Sequence, residues 1–362
     1  MAAEESPQVP PLRLIAWEVT RSCNLACRHC RAEAHPRPYP GELSTSEAKA
    51  LIDSFPECGR PIIIFTGGEP LLRKDVFELA EHAGSKGLRC VMAPNGTLIT
   101  RGLAAKIRES GIARCSVSLD GPDAESHDAF RGVPGAFAAA LRGIGLLKSA
   151  GVEFQINTTV TRSNMSSFRR ISTLAGELGA AAWHIFLLVP MGRAAGLGAE
   201  VINAAEYEAV LNWFYDFRKT TPMQVKATCA PHYYRIMRQR AREDGLGVNP
   251  ETFGLDALSR GCLGGTGFCF ISHTGRVQPC GYLELDCGNV REESFAKIWQ
   301  SAKYFLEFRD KSRYRGKCGV CEYHRVCGGC RARAYSLTGD HLAEEPLCAY
   351  LPGKASGPGG LP

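Results

Sequence analysis

The chain has 362 residues, with 43 lysines and arginines against 37 acids and a formal charge of +6. That length accommodates two domains with sizeable cores, and so mild a charge, carried by scattered arginines, argues against a nucleic-acid binder while leaving room for a small acidic substrate. Sixteen cysteines, with no signal peptide expected after Met1-Ala-Ala-Glu-Glu-Ser6 and no apolar run of membrane-spanning length, point to metal clusters in a reducing, cytoplasmic setting and not to disulfides.

Residues 1–11 read as a flexible lead. From Leu12 to about Pro190, short β-rich runs alternate with helical stretches, the signature of a parallel sheet with crossover helices. Strands are predicted over 14–19, 61–65, 88–93, 114–119, 153–160 and 183–189, which makes six βα units of an α/β, TIM-type partial barrel. Ser44 followed three residues on by Glu47 forms a capping box at the start of the first helix. In such barrels the chemistry sits at the carboxyl ends of the strands, and the conspicuous motifs of this chain fall there.

Directly after the first strand, Val19-Thr-Arg-Ser-Cys-Asn-Leu-Ala-Cys-Arg-His-Cys30 brings Cys23, Cys27 and Cys30 into one loop. Three thiolates without an obvious fourth suit a four-iron cluster that keeps one iron open for something other than protein. A zinc site would still lack a partner for closed tetrahedral coordination. The Cys-x3-Cys-x2-Cys spacing resembles the radical S-adenosylmethionine (radical SAM) superfamily, with His29 where the family usually carries a carbocyclic aromatic residue. The resemblance implies a [4Fe-4S] cluster on Cys23, Cys27 and Cys30 whose open iron binds S-adenosylmethionine (AdoMet), and cleavage of AdoMet to a 5′-deoxyadenosyl radical.

After the second strand comes Thr66-Gly-Gly-Glu-Pro70. Gly67 and Gly68 allow close approach of backbone to a ligand, and Glu69 offers a carboxylate to an ammonium group; the resemblance makes this the motif that holds the AdoMet amino group. Asn95, Ser118 and Asp120 stand where the family contacts the ribose and methionine ends of AdoMet, although Asn95-Gly96 and Asp120-Gly121 are also ordinary turn dipeptides. Arg131, in His127-Asp-Ala-Phe-Arg-Gly132, resembles the arginine that meets the AdoMet carboxylate in part of the family, a role its guanidinium fork suits.

The barrel domain is expected to run over 12–225, followed by a bridging segment, 226–260, that contains Lys226-Ala-Thr-Cys-Ala-Pro-His-Tyr-Tyr-Arg235. A Cys-rich domain over 261–350 and a disordered Gly/Pro-rich tail over 351–362 complete the chain. The Cys-rich part has few long apolar runs, so metal clusters are its expected staples. Its pattern, Cys262-x12-Gly275-x4-Cys280, Cys318-x2-Cys321-x5-Cys327-x2-Cys330 and Cys348, resembles the SPASM extension of radical SAM enzymes, shortened by one residue between the last two clustered cysteines. The resemblance implies two auxiliary four-iron clusters, one on Cys262, Cys269, Cys280 and Cys330 and one on Cys318, Cys321, Cys327 and Cys348, with Cys287 the rival to Cys269. By spacing alone, the two Cys-x2-Cys pairs would also suit zinc knuckles. Cys58, Cys90 and Cys115 read as small buried apolar residues of the scaffold.

Arg13-Leu-Ile-Ala-Trp-Glu-Val-Thr-Arg21, Cys30-Arg-Ala-Glu-Ala, Phe186-Leu-Leu-Val-Pro-Met-Gly-Arg193 and Cys229-Ala-Pro-His-Tyr-Tyr resemble, over nearly the whole chain, the radical SAM haem synthases of the sirohaem-dependent pathway. That implies oxidative decarboxylation of two propionates of iron-coproporphyrin III to vinyls, giving haem b, with a small electron donor such as flavodoxin or ferredoxin. Related tetrapyrrole-modifying enzymes, of haem d1 or didecarboxysirohaem processing, and peptide- or protein-modifying SPASM enzymes share the cluster motifs. Arg193 and Arg235 are candidate partners for propionates, and His232, Tyr233 and Tyr234 for the macrocycle or its iron.

Overall fold

The computed structural model describes residues 9–353; the expectations for residues 1–8 and 354–362 lie outside the described residues. The first six strands are β1 (Leu14–Thr20), β2 (Ile62–Gly67), β3 (Cys90–Met92), β4 (Cys115–Ser118), β5 (Phe154–Val160) and β6 (Ala182–Leu187). The helices between them are α1 (Thr45–Ser54), α2 (Val76–Ser85), α3 (Arg101–Glu109), α4 (Ala124–Arg131), α5 (Ala136–Ser149) and α6 (Phe168–Leu178). All the expected strands form and pair in parallel in chain order. The Ser44–Glu47 box caps α1, each side chain taking the other residue's backbone N–H.

Beyond α7 (Ala204–Thr220), a seventh parallel strand, β7 (Gln224–Thr228), pairs with β6 and leads into α8 (His232–Glu243). The sequence reading places no strand there: the alternation in Gln224-Val-Lys-Ala-Thr228 is short, rests on Val225 and Ala227 alone, and buries only Ala227 fully. At the other edge β8 (Phe268–Ile271) runs parallel to β1, and β9 (Arg276–Gln278) and β10 (Gly288–Asn289) extend the sheet antiparallel. The result is an open ten-stranded sheet ordered β10-β9-β8-β1-β2-β3-β4-β5-β6-β7.

The docking of β8 on β1 changes how the Cys-rich region is held. Cys269, Ile271, Val277, Phe295, Ile298, Trp299 and Phe305 are buried in the same core as Ile15, Trp17 and Val19 of β1. The front of that region therefore shares the barrel's apolar core, correcting the expectation that clusters alone would staple it. The sequence hides this because the apolar residues are split among short elements that bury nothing until they meet the β1 edge.

Candidate active site and metal centres

The three-cysteine loop leaves the carboxyl end of β1 and is tied down from several sides. Ala26 and Arg28 donate their N–H groups to Arg131 O and Phe130 O at the end of α4, and Cys23 N–H to His35 O. Arg193, just past β6, donates Nε to Cys27 O (2.8 Å), Nη1 to Ala34 O (2.9 Å) and its own backbone N–H to Cys30 O (3.0 Å). Gly192 has φ +55°, and a Cβ there would lie 2.6 Å from Cys30 O, so only glycine lets this turn close on the loop. His29 stacks on Phe130 with centroids 4.3 Å apart and planes 11° from parallel; burial pushes it down to about 4, so it is a neutral flat ring at physiological pH. Cys23, Cys27 and Cys30 share a small apolar cluster with Leu25, Ala32 and Ala34, where burial pushes the Cys23 thiol up to about 12. A Cys23 thiolate so placed needs a bound cationic centre to exist.

Gly67 and Gly68 act on this loop. A Cβ on Gly68 would stand 2.5 Å from Arg21 O and closer still to Ser22 O, and one on Gly67 would run into Thr20 O. The room they provide is taken by the cluster loop's own backbone, with Gly68 N–H on Thr20 O and Glu69 N–H on Ser22 O. Glu69 is fully buried, its carboxylate accepting from Leu71 N–H (3.1 Å) and Asn95 N–H (2.6 Å). Burial pushes it up to about 7 against those two donors. Asn95 Nδ2 donates to Asn24 Oδ1 (2.8 Å) and leans on Cys23 Sγ (3.9 Å). Ser118 ends β4, half-buried. Asp120 accepts Thr159 N–H (2.6 Å) and is ion-paired with Arg131, which also points Nη1 at Cys27 Sγ (3.6 Å). Burial works against the Asp120 carboxylate, but Arg131, His29 and His127 together hold it below its usual range. Asn95 thus meets the three-cysteine loop at Asn24 and Cys23, and the Asp120–Arg131 pair meets it at Cys27, while Ser118 makes no hydrogen bond to it among the described residues.

The second cysteine group divides in two, and its membership differs from expectation at one position. Cys318, Cys321, Cys327 and Cys348 border one cavity, together with His232, Arg235 and Lys317. We call this the outer set. Cys262, Cys280 and Cys330 gather around Cys229: burial pushes the Cys229 thiol far up, and the charges adding to it are those of Cys330, Cys280 and Cys262. Cys229, Cys280 and Cys330 also share a small apolar cluster. Cys269 is elsewhere, fully buried on β8, and the thiols acting on it are Cys287 and Cys58. Neither Cys269 nor Cys287 is at the inner set, and Cys229 takes the place assigned to Cys269. Cys229 follows β7 with φ +55°, outside the usual range for a side-chain-bearing residue, a cost that accumulates at functional sites. Tyr207 OH (2.9 Å) and Arg333 Nη2 (3.0 Å) anchor its carbonyl. The signal in the sequence was its position at a strand's carboxyl end, legible only once β7 is recognised.

Among the described residues, no three His, Cys, Asp or Glu side chains close to the spacing of a single metal ion. Each set supplies four thiols, one for each iron of a four-iron cluster, in keeping with an iron–sulfur cluster-binding domain over this part of the chain. The inner set lies beside the catalytic loop. A Cβ on Gly281 would touch Phe270 and Arg31, and Tyr282, raised by burial, feels Cys229, Arg31, Cys280 and Cys30. Tyr282 itself donates its backbone N–H to Cys280 Sγ (3.5 Å). Arg31 is fixed there by Glu18 (2.5 Å) and by the Phe270 ring, 4.4 Å from its guanidinium.

The candidate substrate residues are placed differently from expectation. Arg193 uses two of its side-chain nitrogens on the cluster loop, leaving only Nη2 without a partner. Arg235 is paired with Glu208 (2.5 Å) and faces the outer cysteine set, as does His232. Tyr233 is buried in the main core against Phe214, and Tyr234 bonds Asp256 (3.3 Å). None of them opens onto Cys23, Cys27 and Cys30 together. The reason is topological: α8 packs on α7 and carries His232 and Arg235 to the cavity of the outer cysteines.

Residues 17–175 match the radical SAM superfamily model and 262–330 the SPASM model, an iron–sulfur cluster-binding domain. The chain is 71% identical to the AdoMet-dependent heme synthase of Nitratidesulfovibrio vulgaris strain Hildenborough, over 95% of this chain and 94% of that one. It is 53% identical to the enzyme of the same name from Methanosarcina barkeri strain Fusaro, over 94% and 97%. The fold superposes on Streptococcus suis SuiB bound to S-adenosylmethionine with a TM-score of 0.73 at 15% identity, over 94% of this chain and 78% of that one. This chain belongs to the radical SAM enzymes that carry a SPASM domain. It is an enzyme whose cofactors are [4Fe-4S] clusters and AdoMet.

Proposed function

We propose that the enzyme is a haem synthase that oxidatively decarboxylates two propionates of iron-coproporphyrin III to vinyl groups, yielding haem b. The observation that carries the reading is the turn after Cys280 packing at Gly281 on Arg31, the residue after Cys30, which brings the inner cysteine set to the three-cysteine loop. Near-complete alignment with relatives named AdoMet-dependent heme synthase supports the substrate.

AdoMet on the catalytic cluster supplies a hydrogen-abstracting radical. For each propionate, one hydrogen leaves the β-carbon, carbon dioxide departs, the vinyl double bond forms, and one electron must be accepted. An electron acceptor beside the reaction space meets that last demand. In this reading Cys23, Cys27 and Cys30 are the catalytic ligands; Cys229, Cys262, Cys280 and Cys330 hold the inner auxiliary cluster and Cys318, Cys321, Cys327 and Cys348 the outer one. Glu69, Asn95, Asp120 and Arg131 shape the AdoMet pocket, and Arg193 keeps the cluster loop rigid. Flavodoxin or ferredoxin in the cytoplasm would supply the reducing electron for AdoMet cleavage. No helix among the described residues is long and apolar enough to cross a membrane.

The test is anaerobic incubation with iron-coproporphyrin III, AdoMet and a strong reductant, followed by mass analysis. The expected result is loss of two carboxyl groups through a mono-vinyl intermediate. Protein that cleaves AdoMet but leaves this porphyrin untouched, while modifying another tetrapyrrole or a peptide, would overturn the proposal.

A further inference from the structure

His232 opens α8 with its ring 1% exposed, edge-on to Tyr207 at a centroid distance of 4.7 Å. Among the described residues neither of its ring nitrogens has a hydrogen-bond partner. A neutral imidazole has one N–H to give and one lone pair, and burying them unpaired is unfavourable. The ring borders the cavity of Cys318, Cys321, Cys327 and Cys348. Around it Lys317 Nζ is on Cys348 O (2.9 Å) and His324 Nδ1 is paired with Cys321 O (2.7 Å), while Arg235, paired with Glu208, also keeps a buried Nε without a partner among the described residues. What fills the cavity is therefore the partner open to both His232 and Arg235 Nε.

A second observation concerns the sulfurs. Cys318 Sγ receives Arg331 Nη2 (3.5 Å) and Glu345 N–H (3.4 Å), Cys321 Sγ receives Tyr323 N–H (3.4 Å), and Cys327 Sγ receives Gly329 N–H (3.5 Å). At the inner set, among the described residues, Cys280 Sγ receives Tyr282 N–H (3.5 Å) and the Arg333 backbone N–H acts on the Cys330 thiol, fewer donors than at the outer set. N–H donors stabilise the extra negative charge of a reduced cluster and raise its potential.

We infer that His232 donates its N–H to the cluster held by Cys318, Cys321, Cys327 and Cys348, and that this bond, added to that of Arg331, makes the outer centre the more readily reduced of the two auxiliary clusters. The inference rests on the two-cluster reading above. His232 is a positioning residue in this account: it acts through the cluster and touches no substrate.

The experiment uses the full chain with Cys23, Cys27 and Cys30 replaced by alanine, so that only the auxiliary centres report. Reconstituted protein should hold about eight irons and titrate by electron paramagnetic resonance with two couples. His232→Phe should lower the higher couple and leave the lower one in place at unchanged iron content, while His232→Gln, which keeps an N–H, restores most of the shift. In the chain with His232 intact, pulsed resonance on 15N-histidine-labelled protein should show nitrogen coupled to the more easily reduced cluster, a measurement that does not depend on the variants folding. Two couples unmoved in His232→Phe, a shift confined to the inner centre, or no nitrogen coupling would overturn the inference with the clusters still present. A parent holding only about four irons would refute the two-cluster reading itself, and the inference with it.

Discussion

Replacing Cys229 or Cys269 by alanine separates a cluster ligand from a core residue. Cys229 has Cys262, Cys280 and Cys330 for neighbours and holds a backbone conformation that costs on the order of 1 kcal/mol without some return. Cys269 sits fully buried between β1 and the Cys58 and Cys287 thiols. Losing its sulfur removes apolar packing worth about 1 kcal/mol and no iron ligand. Anaerobically reconstituted wild-type protein should hold about twelve irons in three clusters. After gel filtration with a chelator, Cys229→Ala should retain about eight, because an inner cluster with three protein ligands exposes an iron to extraction. Cys269→Ala should retain about twelve and unfold at slightly lower denaturant. Iron and sulfide analysis reads the difference directly. The reverse pattern, four irons lost from Cys269→Ala and none from Cys229→Ala, would refute the assignment of the inner set.

Gly68→Ala drives a Cβ into Ser22 O and Arg21 O, so it should displace the three-cysteine loop, remove about four irons and abolish 5′-deoxyadenosine formation, read by chromatography. Arg193→Met leaves Cys27 O and Ala34 O without their charged donors; at about 1.5 to 3 kcal/mol for each such bond, it should make the catalytic cluster markedly more labile to oxygen and chelator while the auxiliary irons persist. Glu18 is buried, yet Arg31 and His273 outweigh that burial and hold its carboxyl down to about 2 from 4.5. A carboxylate held below its unfolded value stabilises the fold above pH 4.5 and loses that contribution as pH falls toward 2, an effect of roughly 3 kcal/mol. Denaturant unfolding of apo protein should accordingly show wild type and Glu18→Gln well separated at pH 6 and converging over that acid window; a constant gap would refute the pairing.

The barrel strands and the catalytic loop were legible in the sequence because their determinants are local. Apolar runs such as Leu14-Ile-Ala-Trp-Glu-Val19 form strands wherever they are placed in a sheet, and Cys23, Cys27 and Cys30 lie close enough in the chain to meet in one loop. The Gly67-Gly68-Glu69 motif was legible as a place of close approach, and the approach it permits is to the backbone of residues 20–22. The outer set was legible too, its members clustered in sequence apart from Cys348. What tertiary structure alone decided is which distant residues share a space. Cys229 joins Cys262, Cys280 and Cys330 only because β7 extends the sheet past β6 and its carboxyl end meets the Cys-rich region. Cys269 is drawn the other way, since the pairing of β8 with β1 commits its side chain to the core. Likewise the polar face of α8 looked available for a substrate until packing turned His232 and Arg235 toward the outer cavity. Spacing along a chain constrains ligands a few residues apart, but over tens of residues the pairing of strands and the burial of apolar faces choose the partners.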